Sequence, residues 1–229
     1  GYLSVWHMDD PAKDEVGTLE SKDLGTTPSS GMIGNSRHFG DGKGVNCGEN
    51  ITSYPTGSDP HSTELWFKVE KPCDRIFCWG NGEPQAVVQL ILGKPPHVFM
   101  DCYNSDATVS GGSTLATAQW MHVIHTYKKG ESRLYVNGCL DGVSTSEGSP
   151  LALKSPAKVY MGGWGGHYVF NGDMDELRIS KVTRSADWVR LQYENQKPLQ
   201  TVVGPLVQPG ADFSVSEKKL TLLEGKSAT

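Results

Sequence analysis

The chain has 229 residues, a formal net charge of −5, 37% hydrophobic and 21% charged residues, which is the composition of an ordinary globular protein. An acidic balance without any block of clustered Lys or Arg gives a phosphate backbone nothing to hold, so nucleic acid is excluded as a partner class. No apolar run approaches the ~18 residues of a membrane-spanning helix, and the stretch from Gly1 lacks the ordered regions of a signal peptide, which in a mature or excised chain says nothing about compartment.

The 27 glycines and 13 prolines imply many short strands joined by turns. In chain order the strand candidates are 3–8, 32–39, 62–70, 74–79, 85–92, 97–103, 120–128, 132–137, 157–162 and 172–180, a spacing that suits a sandwich or barrel. The clearest hairpin is WMHVIHTYKKGESRLYVNGCLDG, in which Lys129, Gly130 and Glu131 reverse the chain and Asn137-Gly138 starts the next reversal. A helix fits at 185–195, with Ser185 as N-cap and Trp188, Leu191 and Gln192 on its apolar face. After Pro198 the Pro and Gly breaks give way to alternating FSVS and LTLLEG, the pattern of a linker leading into a further β domain. Residues 1–196 are therefore expected to form one domain, and 197–229 a linker and the start of another.

The cysteines at 47, 73, 78, 102 and 139 make no CxxC pair and have no accompanying histidine spacing, which disfavours zinc. Their odd count and apolar settings point to buried, reduced thiols, although a disulfide stays open. His122 and His125 lie three apart on a strand, so they face opposite sides and do not clasp one metal.

The most informative stretch is AKVYMGGWGGHYVFNGDMDELRIS, residues 157–180. Strand alternation in its second half puts Met174, Glu176, Arg178 and Ser180 on one face and Asp175, Leu177 and Ile179 on the other. The glycines at 162, 163, 165 and 166 make a tightly bent loop that a partner approaches closely.

VWHMDD at 5–10, GMIGNSRHFGDG at 31–42, STELWFKVE at 62–70, the hairpin at 120–142 and FNGDMDELRISKVTRSADWVRLQYEN at 170–195 together resemble the laminin-G-like, concanavalin A-like jelly roll of bacterial secreted multidomain proteins. The resemblance covers about residues 1–196. It implies an all-β fold of two antiparallel sheets packed face to face, with one short C-terminal helix and ligand loops at one rim. It further implies an extracellular, cell-surface or periplasmic setting, attachment to further domains, a polysaccharide or glycan partner, and one structural calcium. Relatives read Phe-Asp-Gly where this chain has Phe39-Gly40-Asp41-Gly42.

Calcium takes six to eight oxygen ligands, and Asp9, Asp10, Asp41, Asp173 and Asp175 are the carboxylates in the segments that resemble the family's metal region. The alternative is that Asp9-Asp10-Pro11 makes a turn and Asp175 a cap or salt bridge. Sugar recognition sets aromatic faces against the C–H side of pyranose rings and uses amides and carboxylates for hydroxyls. Two loops offer this: one with Trp164, His167 and Tyr168, the other, CWGNGEP, with Trp79, Asn81 and Glu83. Trp66, Trp120 and Trp188 sit in strands or the helix and are expected in the core, Trp79 suits either role, and the flanking glycines favour an exposed Trp164.

A jelly-roll glucanase needs catalytic carboxylates on one face in a Glu-x-Asp-x-x-Glu arrangement. Here Asp173, Asp175 and Glu176 come nearest, but alternation sets Glu176 opposite the other two, and Arg178 stands where the second acid belongs. A non-catalytic binding module is the preferred reading, with a spacer or adhesive domain lacking a small ligand as the alternative, and a glycoside hydrolase or lyase behind both.

Overall fold

The computed structural model describes residues 1–9, 13–71, 75–93, 97–145 and 147–198. In chain order the strands are β1 (Tyr2–Trp6), β2 (Lys22–Asp23), β3 (Thr27–Ser30), β4 (Asn35–Phe39), β5 (Val45–Ile51) and β6 (His61–Val69). Then come β7 (Arg75–Gly80), β8 (Val87–Leu92), β9 (His97–Asp101), β10 (Val109–Thr114), β11 (Trp120–Lys128) and β12 (Glu131–Val136). The last are β13 (Cys139–Ser144), β14 (Ala157–Met161), β15 (Gly163–Trp164), β16 (His167–Tyr168) and β17 (Gly172–Ser180), followed by helix α1 (Ala186–Gln196).

Two antiparallel sheets form a sandwich. One has the order β13-β12-β11-β6-β17-β4-β3, with β1 also on β17; the other runs β10-β9-β8-β7-β14-β5-β2. Period-2 alternation fills the space between them: Leu65, Phe67 and Val69 of β6 and Val123 of β11 meet Phe77 and Trp79 of β7, Val88 and Leu90 of β8, and Val159 and Met161 of β14 in one buried cluster. His61 and His125 are buried in the same layer, where His61 stacks on Tyr127 at 5.1 Å and meets the edge of Trp79 at 5.0 Å. Burial holds His61 neutral and lowers its pKa to about 4, and it lowers His125 further in the same direction.

The two expected histidine faces are seen. His125 points inward, whereas His122 points outward, stacked against Trp66 at 4.7 Å and hydrogen-bonded to Glu64 at 3.1 Å. Helix α1 covers this outer patch. Ser185 caps it, its Oγ accepting the Trp188 N–H at 3.2 Å; the docked face agrees with the expected one at Trp188, which packs half-buried against the cluster beneath the helix, and differs elsewhere. Val189 packs on Ile124 and Tyr135, Tyr193 stacks on Trp66, and Gln196 donates to Glu64, while Leu191 is 60% exposed. The docking face therefore follows 189, 193 and 196, at spacings of four and three.

Trp66 is buried as expected, but beneath helix α1 and not between the sheets. Trp120 and Trp188 are only half-buried, each beside a cation: the Lys68 ammonium lies 5.2 Å from the Trp120 ring and the Arg184 guanidinium 4.3 Å from that of Trp188.

Strand β17 departs from regular alternation. Glu176 has φ +52° and the register with β6 shifts between Asp175 and Arg178, which is a β-bulge. Met174, Leu177 and Ile179 consequently all enter the core. Glu176 turns to the outer side, where it pairs with Arg178 and with His7 at 2.7 Å. The bulge sits where β17 exchanges one edge partner for another, pairing with β4 over 172–174 and with β1 over 177–180.

Cys47, Cys78 and Cys102 are buried free thiols and Cys139 is an exposed one, while Cys73 lies outside the described residues. The expected linker and further β domain also lie outside them, apart from residues 197 and 198.

Candidate functional site

The GGWGGHY loop is a small hairpin in which β15 and β16 pair across Gly165-Gly166, both glycines at positive φ. It places Trp164 on the outer face of the seven-stranded sheet, edge-on to Tyr160 at 5.1 Å. Gly82 backs the indole so closely that a Cβ there would stand 2.7 Å from the ring. Trp164 lines one of two depressions on this face, and the Gly165, Gly166 and Tyr168 that follow it line the other. The smaller, of about 150 Å³, is lined by Arg75, Gly82, Val87, Gln89, Tyr103 and Trp164. The larger, of about 410 Å³, includes Lys22, Asn46, Glu49, Lys158, Tyr160 and Tyr168 in its lining.

Beneath the tryptophan the sheet register assembles a polar row. Lys22 stands opposite Asn46, Asn46 opposite Tyr160, Tyr160 opposite Cys78, Cys78 opposite Gln89, and Gln89 opposite Asp101. This row crosses six strands of the sheet at its outward-facing positions. Gln89 donates to Asp101, whose other oxygen accepts the Tyr103 N–H at 3.1 Å. Burial pushes the Cys78 thiol up, so it serves as a small buried side chain and not as a nucleophile.

Of the sugar-binding residues expected from sequence, Trp164 lines the site and His167 is exposed on its hairpin. Tyr168 lines the larger depression with most of its ring buried, in a space that exists because residue 44 is glycine; a Cβ there would lie 1.9 Å from the ring. The second loop needs correction. Trp79 has 0% exposure and donates its indole N–H to Thr63 Oγ1 at 3.0 Å between the sheets, because β7 continues through residue 80 and alternation turns Trp79 inward beside Phe77. Asn81 and Glu83 line neither depression, and Glu83 is engaged with Lys154. The lining residues missed from sequence, Arg75, Gln89, Asn46 and Lys158, were signalled by polar side chains at the outward positions of otherwise buried strands.

Of the five carboxylates expected around calcium, four are described, and only Asp9 and Asp175 meet at one loop. Asp175 is fully buried, and its Oδ2 accepts the N–H groups of Met32 at 2.8 Å and Ile33 at 3.0 Å. Its Oδ1 is buried without a partner. Burial, aided by neighbouring Glu176 and opposed by those backbone hydrogen bonds, raises its pKa to about 7. Asp9 reaches the same loop, accepting from Asn35 at 3.2 Å. Asp173 instead lies between His38 at 2.8 Å and Lys68 at 2.5 Å, and Asp41 is exposed in a turn at φ +49°. Asp10 lies outside the described residues.

A partnerless carboxylate oxygen on a residue tied to a loop that a second acid, Asp9, also contacts is chemically suited to a hard cation. Asp173 fits less well, because Lys68 already neutralises it, although His38, Glu70 and Asp173 are close enough to share an ion.

The bulge also corrects the face argument, since Asp173, Asp175 and Glu176 all project outward. Each is already engaged, Asp173 by Lys68 and His38, Asp175 by the 31–35 loop and Glu176 by Arg178 and His7. None of them lines the two depressions. Among the described residues no helix is long and apolar enough to cross a membrane.

A sequence model described as the concanavalin A-like lectin/glucanases superfamily, Laminin_G_3, matches residues 40–190. No curated protein matches the chain by sequence. Among solved structures, the fold is similar to domain 4 of AbnA, a GH43 extracellular arabinanase from Geobacillus stearothermophilus, in complex with arabinotriose. That match has a TM-score of 0.66 and 19% identity over 82% of this chain and 96% of that one. The binding domain of Paraclostridial Mosquitocidal Protein 1 matches at TM-score 0.61 and 10% identity, over 85% of this chain and 52% of that one. Trypanosoma rangeli sialidase in complex with the inhibitor DANA matches at TM-score 0.64 and 12% identity, over 84% of this chain but 32% of the sialidase. At these identities the likeness is one of fold.

Proposed function

The chain belongs to the concanavalin A-like lectin/glucanases superfamily through its Laminin_G_3 region, and on that footing we propose that it is a non-catalytic carbohydrate-binding module of an extracellular or cell-surface multidomain protein. The observation that carries this reading is Trp164, which lines the smaller depression on the face that carries the Lys22-to-Asp101 row, while the glycines that follow it line the larger. An indole offers an apolar face to a sugar ring, and the flanking amides and charges meet the ring's hydroxyls. Two depressions lined from one hairpin suit successive residues of a polysaccharide better than a single small molecule. The arabinotriose complex of the AbnA domain supports a sugar as the ligand class. The engaged state of Asp173, Asp175 and Glu176 supports binding without hydrolysis, since a retaining or inverting pair needs carboxylates free to face the glycosidic bond.

Calcium belongs to the same reading as a structural ion. Asp175 Oδ1, Asp9 and carbonyl groups of the 31–35 loop would hold it, and it would supply the positive charge that the buried carboxylate lacks. The chain's own residues already tie that loop to β17 through the Met32 and Ile33 N–H groups.

A polysaccharide array probed with the wild-type protein and with Trp164→Ala tests the binding role. Retention on at least one polymer is expected, with a loss of tenfold or more in the variant. Absence of binding to every polymer would favour a spacer or adhesive role, and unchanged binding by Trp164→Ala would move the site elsewhere.

A further inference from the structure

We propose that the smaller depression is a subsite for the carboxylate of an acidic sugar residue, with the guanidinium of Arg75 as its charge partner. The proposal rests on the carbohydrate reading above and deepens it by naming the ligand class.

Arg75 stands apart from the other arginines. Arg37 is paired with Asp23, Arg133 with Glu131, and Arg178 with both Glu64 and Glu176. Arg184 lies over the rings of Tyr2 and Trp188 and donates to Ser180, and Arg190 is exposed on the helix. Arg75, half-buried in the wall of a depression, has no carboxylate within ion-pair distance among the described residues; its Nε is buried without an acceptor, a feature it shares with Arg133 and Arg184. A guanidinium held in a partly dry wall without a counterion favours an arriving anion, and its planar fork matches a carboxylate in two parallel hydrogen bonds.

The acid at the end of the polar row does not fill that role. Asp101 is taken up by Gln89, by the Tyr103 N–H at 3.1 Å and by Thr108 at 3.4 Å. The opposite rim is shaped at some conformational expense. Tyr103 and Asn104 follow one another at φ +38° and +62°, and the Tyr103 side chain is left 41% exposed beside the depression. Consecutive non-glycine residues at positive φ persist where surrounding structure enforces them, and such strain concentrates at ligand sites. Tyr103 and Trp164 thus give the subsite aromatic groups, and Arg75 gives it charge.

The wider surface agrees. The two depressions together carry the cations Arg75, Lys22 and Lys158 against the single carboxylate of Glu49, on a chain whose net charge is −5. A locally positive groove on an acidic protein steers anions toward itself. Uronic acids, which carry a carboxylate on a pyranose ring, satisfy the arginine and the aromatic wall at once.

The test is calorimetric titration with three oligosaccharides: an oligogalacturonate, its carboxyl-reduced neutral counterpart, and a sulfated dextran oligomer. The wild type is expected to prefer the uronate over the neutral oligomer by about tenfold or more. Arg75→Gln should erase that preference and Arg75→Lys should restore only part of it. Thermal melting of each variant checks folding.

A wild type that binds uronate and neutral oligomers equally would overturn the subsite and leave the sugar reading standing. So would a preference that survives Arg75→Gln. Equal binding of the sulfated oligomer and the uronate, weakened alike by salt, would reduce the groove to general charge attraction. Absence of binding to all three would remove the sugar reading, and the subsite with it.

Discussion

Replacing His61 by Phe should make the protein less sensitive to acid. His61 is buried between Tyr127 and Trp79, its Nδ1 is 3.0 Å from the Asp59 carbonyl, and its Nε2 has no partner. Burial lowers its pKa from 6.5 in the unfolded chain to about 4 in the folded one. Because the folded value is the lower, the unfolded state binds the extra proton first. The stability contribution is therefore intact above pH 6.5, declines as pH falls, and is fully withdrawn below pH 4.

At 1.36 kcal/mol per pH unit across that window the loss is about 3 kcal/mol. His125 titrates in the same direction, and remains in the variant. Asp175, raised to about 7, takes up its proton in the folded state over an overlapping range and opposes the decline. The wild-type curve is thus a composite, and the diagnostic quantity is the difference between proteins. Urea unfolding at pH 8 and pH 4.5 should show that the wild type loses about 2 kcal/mol more than His61→Phe over this interval. Equal losses in the two proteins would refute the reasoning, because they would mean that His61 accepts its proton in the folded state as readily as in the unfolded one.

Trp79→Ala should cost about 3–5 kcal/mol through the cavity it leaves between the sheets, lowering Tm by roughly 10 °C; a Tm within a degree of wild type would place the indole outside the core. A chelator should lower Tm, and excess calcium at a hundredfold over Kd should raise it by roughly 5–10 °C, from about 2.7 kcal/mol of linkage. Asp175→Asn should abolish that response, and a wild-type Tm indifferent to chelator would rule the ion out. Gly44→Ala puts a methyl group 1.9 Å from the Tyr168 ring, so it should displace that ring, destabilise the domain by about 1–3 kcal/mol and weaken polysaccharide binding; an unaltered Tm and affinity would show that Tyr168 has room to move.

The strands that were legible in the sequence were those with a buried hydrophobic face, such as β6, β11 and β14. The short β2, β3, β15 and β16 escaped notice, as did the longer β5, β10 and β13, whose sequences VNCGENI, VSGGST and CLDGVS mix glycine with small polar residues. Their place is set by hydrogen bonds to neighbours and not by an alternation of their own.

Trp164 was legible because glycines isolate it. Trp79 was left open between core and ligand because it closes its strand beside a turn, and alternation with Phe77 along β7 settles it as core. The bulge at Glu176 was equally hidden, since nothing in DMDELRIS marks where the period slips, and the parity of its carboxylates was misjudged as a result. Arg75 escaped notice for another reason: an unpaired cation becomes evident only when the acids that might neutralise it are seen to be engaged elsewhere.

The position of β17 has a consequence for how the protein is made. Among the described residues it is the last strand, yet it lies in the interior of its sheet, bordered by β6 on one side and by β4 and then β1 on the other. During synthesis β1, β4 and β6 all emerge long before the strand that joins them, so that sheet stays divided, with open edges, until residue 180 leaves the ribosome. Contacts spanning nearly the whole domain, such as Tyr2 with Ser180, make folding slow and late. A nascent chain stopped anywhere short of β17 should therefore be a chaperone client and protease-sensitive, and acquire protection abruptly once that strand is added.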